Sequence, residues 1–237
     1  MPNKEVSVVS SMQVKTNVIS KVRLHKHITI EDDKRVFVVG DLDGNFTKLK
    51  SELDKVDFNP QDDVLISLGD IIDRGNDSAR LVEYMQEINA NVVLGNHEHM
   101  MLEALMGRDS YAMRLWVQNG GKWHQTADFQ TLVNMCKWFL QQQLAITVDY
   151  QGKKIGISHT LPPTWSWEHM PQNTEACVFP LMWDRERFNK KINKVNHGVD
   201  YSIHGHNSTP EPIWIGNSLH VDTVYYRNPS VIKLNDF

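Results

Sequence analysis

Cysteine is scarce. Cys136 and Cys177 are the only two in 237 residues, and neither sits in a Cys-x-x-Cys pair. That excludes a disulfide framework and a cysteine-built zinc site and fits reduced thiols. No apolar run approaches the ~18 residues that cross a bilayer. The first thirty residues also lack the apolar stretch of a secretory leader. A cytoplasmic protein with no membrane partner is therefore expected. Positive charge is not in excess: 25 Lys and Arg against 29 Asp and Glu leave a net charge of -4. An electrostatic nucleic-acid binder would carry the opposite balance. The phosphate-binding Gly-x-x-x-x-Gly-Lys-Ser/Thr loop is missing, as is the Gly-x-Ser-x-Gly nucleophile elbow. Repeats and low-complexity tracts are missing too. With 41% hydrophobic and 23% charged residues the composition is that of a globular protein with a real core.

Three short apolar runs stand out: Val36–Val39, Val64–Leu68 and Val92–Leu94. Each ends in glycine, at Gly40, Gly69 and Gly95, and each reads as a buried strand. Between them Phe46, Leu49, Leu53 and Val56, then Leu81, Val82, Met85 and Ile88, recur at helical spacing. Asp77 or Ser78 suits the cap of the second helix. A third helix follows through Met101, Leu102 and Leu105. This β-α-β-α-β-α order predicts three parallel neighbours. Residues 108–143 read as mostly helical, with Trp116, Trp123 and Trp138. A hairpin follows over 144–158. Short strands at 201–204, 213–215, 219–221 and 231–234 predict a second sheet in the C-terminal half. Residues 1–30 read as an N-terminal extension and 31–237 as a single domain.

Ligands in open parallel sheets bind beyond the carboxyl ends of the strands. The first run is followed by Gly40-Asp41-Leu42-Asp43-Gly44-Asn45, the second by Gly69-Asp70-Ile71-Ile72-Asp73-Arg74-Gly75, the third by Gly95-Asn96-His97-Glu98. Later strands end in Ser158-His159 and His204-Gly205-His206. One such loop is ordinary turn chemistry. Five in order bring carboxylate, imidazole and amide to one edge. Two divalent ions sharing a carboxylate and an activated water need such a set. Oxygen and nitrogen donors without thiolate suit manganese, iron, zinc or magnesium.

With these motifs, and with Asn119-Gly120-Gly121 and Trp183-Asp184-Arg185-Glu186-Arg187 between them, the chain from about Arg35 to Thr223 resembles the metal-dependent phosphoprotein phosphatases. These belong to the calcineurin-like metallophosphoesterases, and the compact phage lambda type is the most similar. The resemblance implies a four-layer α/β/β/α sandwich and two divalent metal ions, manganese first among them. It implies hydrolysis of phosphoserine or phosphothreonine in a protein or peptide, with phosphotyrosine as a further target, in the cytoplasm of a bacterial or phage-infected cell. It implies Asp41 on the first metal, Asp70 bridging, and Asn96, His159 and His206 on the second. It further implies His97 as general acid oriented by Asp73, Arg74 on the phosphate oxygens, and Arg185 as a second clamp with Arg187 as its alternative.

Two positions depart from the pattern. Asp43 stands where the family's Asp-x-His-Gly motif has histidine; as a ligand of the first metal it is expected to favour manganese or magnesium. Leu94 stands where the protein phosphatases carry a phosphate-gripping arginine and the symmetrical dinucleoside tetraphosphatases carry leucine. Leu94 therefore raises a dinucleoside polyphosphate hydrolase as an alternative, and Asp43 raises a metal-poor binding protein. Away from the motifs, His99 is expected at the surface or behind the ligands. His204 should point away from His206, and Trp165 and Trp167 should pack in the core or at its rim.

Overall fold

The structure, a computed structural model, describes residues 14–236. In chain order these form β1 (Arg23–Thr29), β2 (Val36–Val39), α1 (Phe46–Lys55), β3 (Val64–Ser67), α2 (Ser78–Glu87) and β4 (Asn91–Val92). Then come α3 (Asn96–Leu105), α4 (Ser110–Gln118), α5 (Phe129–Phe139), β5 (Gln143–Tyr150) and β6 (Lys153–Ser158). The chain continues with α6 (Thr174–Met182), α7 (Glu186–Asn189), β7 (Tyr201–His204), β8 (Ile213–Ile215), β9 (Ser218–His220) and β10 (Val231–Lys233). Among the described residues no helix is long and apolar enough to cross a membrane.

Two sheets are built from these strands. The smaller runs β10-β2-β3-β4 and the larger β1-β5-β6-β7-β9-β8. As expected, β2, β3 and β4 are parallel neighbours. The two-residue period of β2 explains the layering. Val36 and Val38 point between the sheets, meeting Ile146, Ile157 and Ile203 of the larger one. Phe37 and Val39 point outward into the cluster that holds Leu49, Leu53, Leu81 and Met85 of α1 and α2. Helix α6 lies against β1 and β5. The result is the expected α/β/β/α stack. Past Val92 the chain leaves the small sheet, and Val93 bridges Gln143 of β5. That contact brings the two sheets together at the edge where the third motif begins.

Residues 14–30, within the expected N-terminal extension, contribute a strand and core residues. Strand β1 lies parallel to β5 in the larger sheet, so that sheet is not confined to the C-terminal half. Ahead of it, Val14, Val18, Ile19 and Val22 are buried in the main core. The rest of the expected extension, residues 1–13, lies outside the described residues. The segment from Val14 to Val22 is fastened to α3 by polar bonds as well. The buried Glu103 carboxylate accepts from the backbone N–H of Val18 at 2.6 Å and of Ile19 at 2.9 Å. His99, buried and not at the surface, bonds Lys15 O through Nε2 at 2.7 Å and receives Trp183 Nε1–H on Nδ1 at 3.0 Å. Alternating hydrophobicity in 14–22 is weak, because a strap tied by side chains needs no regular period. Replacing Glu103 by alanine orphans two buried N–H donors. Stability in urea titrations should fall by about 2–4 kcal/mol.

Candidate metal centre

Every loop singled out by the sequence arrives at the same end of the two sheets. The backbone at this end is strained: Asp43, Asp70, Asp73, Arg74 and His206 all have positive φ, between 47° and 79°. Non-glycine residues stay there only where surrounding bonds hold them. Two glycines give the carboxylates space. A Cβ on Gly95 would lie 2.1 Å from Asp70 Oδ1, and a Cβ on Gly205 would lie 2.1 Å from Asp41 Oδ1.

Asp70 is the hub. Its Oδ1 accepts His97 N–H at 3.0 Å and lies 3.4 Å from His159 Nε2, and its Oδ2 lies 3.8 Å from His97 Nε2. Asp70, His159 and His206 can each aim one ligand atom within 4.8 Å of the others. Asn96 Oδ1 faces His159 Nε2 at 3.2 Å, and His159 Nδ1 is bonded to Leu68 O at 2.7 Å. That second bond places the proton on Nδ1 and leaves Nε2 as the ligating atom. His206 N–H donates to both Asp41 oxygens, at 3.0 and 3.2 Å. The Nε2 of His206 is buried and has no hydrogen-bond partner among the described residues.

Sequence reasoning overlooked Asp222. It lies just past a late strand, so the question that found the other loops, asked after β9, would have found it. It is buried, with Ser208 Oγ–H on one oxygen at 2.7 Å and Oδ1 without a hydrogen-bond partner among the described residues. Burial raises Asp222 above the ordinary carboxylate range. Burial, with the charges of Asp222, Asp70 and Asp43, raises Asp41 well above it. Burial lifts Asp43 to about 6, against the pull of Arg74. Burial also opposes ionisation of Asp70, but His159 and His97 hold it well below the usual value. His206, by contrast, is pushed well down by burial and by His159, so it is a neutral imidazole. Crowded carboxylates, a neutral imidazole with a bare nitrogen and an unpaired carboxylate oxygen are the donor set of a divalent cation centre. The residues fit such a group.

The remaining candidates flank these ligands. His97 Nδ1 and Asp73 Oδ2 are 2.6 Å apart, both buried. Burial alone would lower His97, but Asp70 and Asp73 outweigh it and raise its pKa. Asp43 is not among the three residues whose ligand atoms cluster. Arg74 Nη1 holds its Oδ1 at 2.5 Å. Arg185 reaches His206 O at 3.0 Å and Asn207 Oδ1 at 3.3 Å, at the rim of the centre. Arg187 is instead buried on Asn196 Oδ1 at 2.9 Å and on Lys194 O, so it is no alternative clamp. His204 points away as expected, to Ser158 and Ser202. Trp165 and Trp167 are core residues. Leu94 is fully buried in the main cluster.

Glu98 ties the second and third loops together. Its carboxylate accepts N–H from Gly95 at 2.8 Å, and from Asp70 and Ile71 at 2.9 Å each. Burial and the Asp70 charge raise it to about 7, against the pull of these donors. Glu98→Ala leaves three buried donors unpaired. Each costs about 1–3 kcal/mol, so a loss of at least ~3 kcal/mol is expected in chemical denaturation. Metal uptake, read by calorimetry on the folded fraction, should weaken with it as the Asp70 loop loses its anchor.

The geometry can be set beside known proteins. The sequence profile of calcineurin-like phosphoesterases matches residues 34–210. Serine/threonine-protein phosphatase 1 of Salmonella typhimurium is 30% identical over 211 residues, which cover 84% of this chain and 91% of that protein. A symmetrical bis(5'-nucleosyl)-tetraphosphatase of a Shewanella species is 33% identical over 153 residues, 62% of this chain and 52% of that protein. Among solved structures, a cold-active protein tyrosine phosphatase superposes with a TM-score of 0.61 at 13% identity, covering 98% of this chain and 82% of that one, a likeness of fold. With the profile matched over most of its length and the ligand-bearing loops gathered at one sheet edge, this chain belongs to the calcineurin-like phosphoesterase family.

Proposed function

We propose that this chain is a protein phosphatase that hydrolyses phosphoserine and phosphothreonine, with phosphotyrosine as a further substrate. The observation that carries this reading is the buried His97–Asp73 pair, 2.6 Å apart. A serine or threonine alkoxide is a poor leaving group and needs a proton as the P–O bond breaks. A nucleotide leaving as a phosphate does not. A positioned imidazole is worth about 10²–10⁴ in rate to the first reaction and little to the second. The Salmonella phosphatase, aligned over most of both chains, supports the same assignment.

Asp41, Asp43, Asp70, Asn96, His159 and His206 would hold two divalent cations, manganese in our assignment, which would supply Lewis acidity and lower the pKa of a bound water. Asp43 would join them through Oδ2, the oxygen that Arg74 leaves free. The chain's own residues do the rest. Arg74 and Arg185 bind phosphate oxygens, for which the planar guanidinium fork is suited. Asp73 fixes His97 by its Nδ1 proton, so Nε2 carries the proton for the departing oxygen. The partner is a phosphorylated protein or peptide, with no role for nucleic acid or membrane. Both cysteines are free and buried, in keeping with a cytoplasmic site.

Leu94 and the Shewanella relative favour a second reading, a dinucleoside polyphosphate hydrolase. A paired assay separates the two: phosphoserine peptide against dinucleoside tetraphosphate, each with manganese, iron, zinc and magnesium. Turnover of the peptide is expected, and turnover of the dinucleotide alone would overturn the proposal. His97→Asn should slow peptide turnover by about 10²–10⁴ with metal content unchanged by elemental analysis.

A further inference from the structure

Trp116 and Trp123 are the tryptophans whose purpose the motifs leave open. Trp116 ends the apolar face of α4, and Trp123 lies in the short 3-10 turn Gly121–Gln125 that follows Asn119-Gly120-Gly121. Both indoles point at one carboxylate. Trp116 Nε1–H is 2.9 Å from Asp73 Oδ1 and 2.9 Å from Oδ2, and Trp123 Nε1–H is 2.7 Å from Oδ1. With His97 Nδ1 on Oδ2, three N–H groups converge on the Asp73 carboxylate, which is wholly buried.

Those indoles are themselves fixed. Trp116 is fully buried, and His124 stacks on it at 4.7 Å with the rings 24° from parallel. Trp123 meets Trp116 edge to face at 6.0 Å. Gly121 lies so close that a Cβ there would be 2.5 Å from Trp116 Nε1. His124 Nδ1 closes the turn on Gly121 O at 2.5 Å. The preceding Gly120, with φ of +116°, packs on Arg74, where a Cβ would lie 2.6 Å from the backbone nitrogen.

We propose that Trp116 and Trp123 are positioning residues for the proton donor: their indole N–H groups fix the plane of the Asp73 carboxylate, and Asp73 thereby aims His97 Nε2 at the leaving oxygen. The chemistry suits this task. Indole nitrogen donates and cannot accept. A hydroxyl or a water in its place could turn and accept the Nδ1 proton of His97, releasing the ring. With indoles alone around it, Asp73 is the acceptor that ring has. The aromatic walls also keep water away from a carboxylate on a strained backbone. The inference rests on the phosphomonoesterase reading above.

The test is dependence on the leaving group. Trp123→Phe, Trp116→Phe and a protein carrying the sulfur isostere benzothienylalanine at 123 are compared with the unmodified chain under manganese. The isostere keeps the shape and deletes the N–H, so it stands in should a phenylalanine variant fail to fold. Substrates run from 2,4-dinitrophenyl phosphate through phenyl phosphate to a phosphoserine peptide. For the dinitrophenyl ester, which departs unprotonated, kcat should stay within about two-fold of the unmodified chain. For the peptide kcat should fall by about 10-fold or more, as loss of an orienting partner does elsewhere, with KM unchanged. The downfield Nδ1 proton of His97 should move upfield as its bond to Asp73 loosens. An equal fall across all esters, a change in KM alone, or an unmoved resonance would overturn the inference and leave the function standing. If the unmodified chain cleaves no ester in the series, the functional reading fails, and the inference falls with it.

Discussion

The centre depends on a carboxylate kept ionised where burial opposes its charge. Asp70 is 3% exposed. It stays anionic because imidazoles crowd it, with His159 Nε2 at 3.4 Å and His97 Nε2 at 3.8 Å. Its own backbone is locked by Glu98. Around it lie Asp41, Asp43 and Asp222, each raised by burial and by carboxylate neighbours. Like charges at such range in a poorly solvated site repel strongly. A divalent cation would add an attraction to each of these carboxylates that outweighs their mutual repulsion, so cation binding and stability of this end of the fold are linked.

The scaffold delivers the pieces by the simplest means available to a sheet. Strands β2, β3 and β4 of one sheet and β6, β7 and β9 of the other end at the same edge, so residues far apart in sequence meet there without long loops. Strain then does the aiming. Asp70 and His206 both adopt left-handed backbone, at φ of 47° and 63°. Helix α3 completes the arrangement from both sides. Its first turn carries Asn96 and His97, and its next turns carry His99 and Glu103, which grip residues 15–19. The N-terminal strap therefore braces the helix that presents Asn96 and His97.

Legibility in the sequence followed the locality of the physics. Strands β2 and β3 end in glycine and acid within a few residues, so periodicity and loop chemistry located Asp41, Asp70 and His97 together. The place of strand β1 was unreadable: Arg23–Thr29 is polar and half-exposed, and its position is set by pairing with β5, some 120 positions on. Asp222 escaped notice because no glycine-acid signature marks the end of β9. Ser78, a candidate helix cap, instead accepts Asp73 N–H with its hydroxyl at 2.9 Å, a loop contact invisible to capping rules. The role of Trp116 and Trp123 could not be read at all. A tryptophan on a helix face looks like core until the structure shows where its N–H points.

Asp43 and Arg74 bear on what the pocket accepts. The two side chains are paired at 2.5 Å, so a phosphate on Arg74 would share that guanidinium with a carboxylate or displace it. Leu94 adds no cation, since it is sealed in the core. In the proposed function, attraction for the substrate then rests on Arg74, Arg185 and the cations. A phosphomonoester near neutral pH carries close to two charges, whereas a phosphoryl group inside a polyphosphate chain carries one. Competition with an intrinsic carboxylate penalises the singly charged group more, because its gain from each cationic contact is smaller. At a site with these charges a doubly charged phosphate would compete for Arg74 better than a singly charged one, which bears on the proposed substrate.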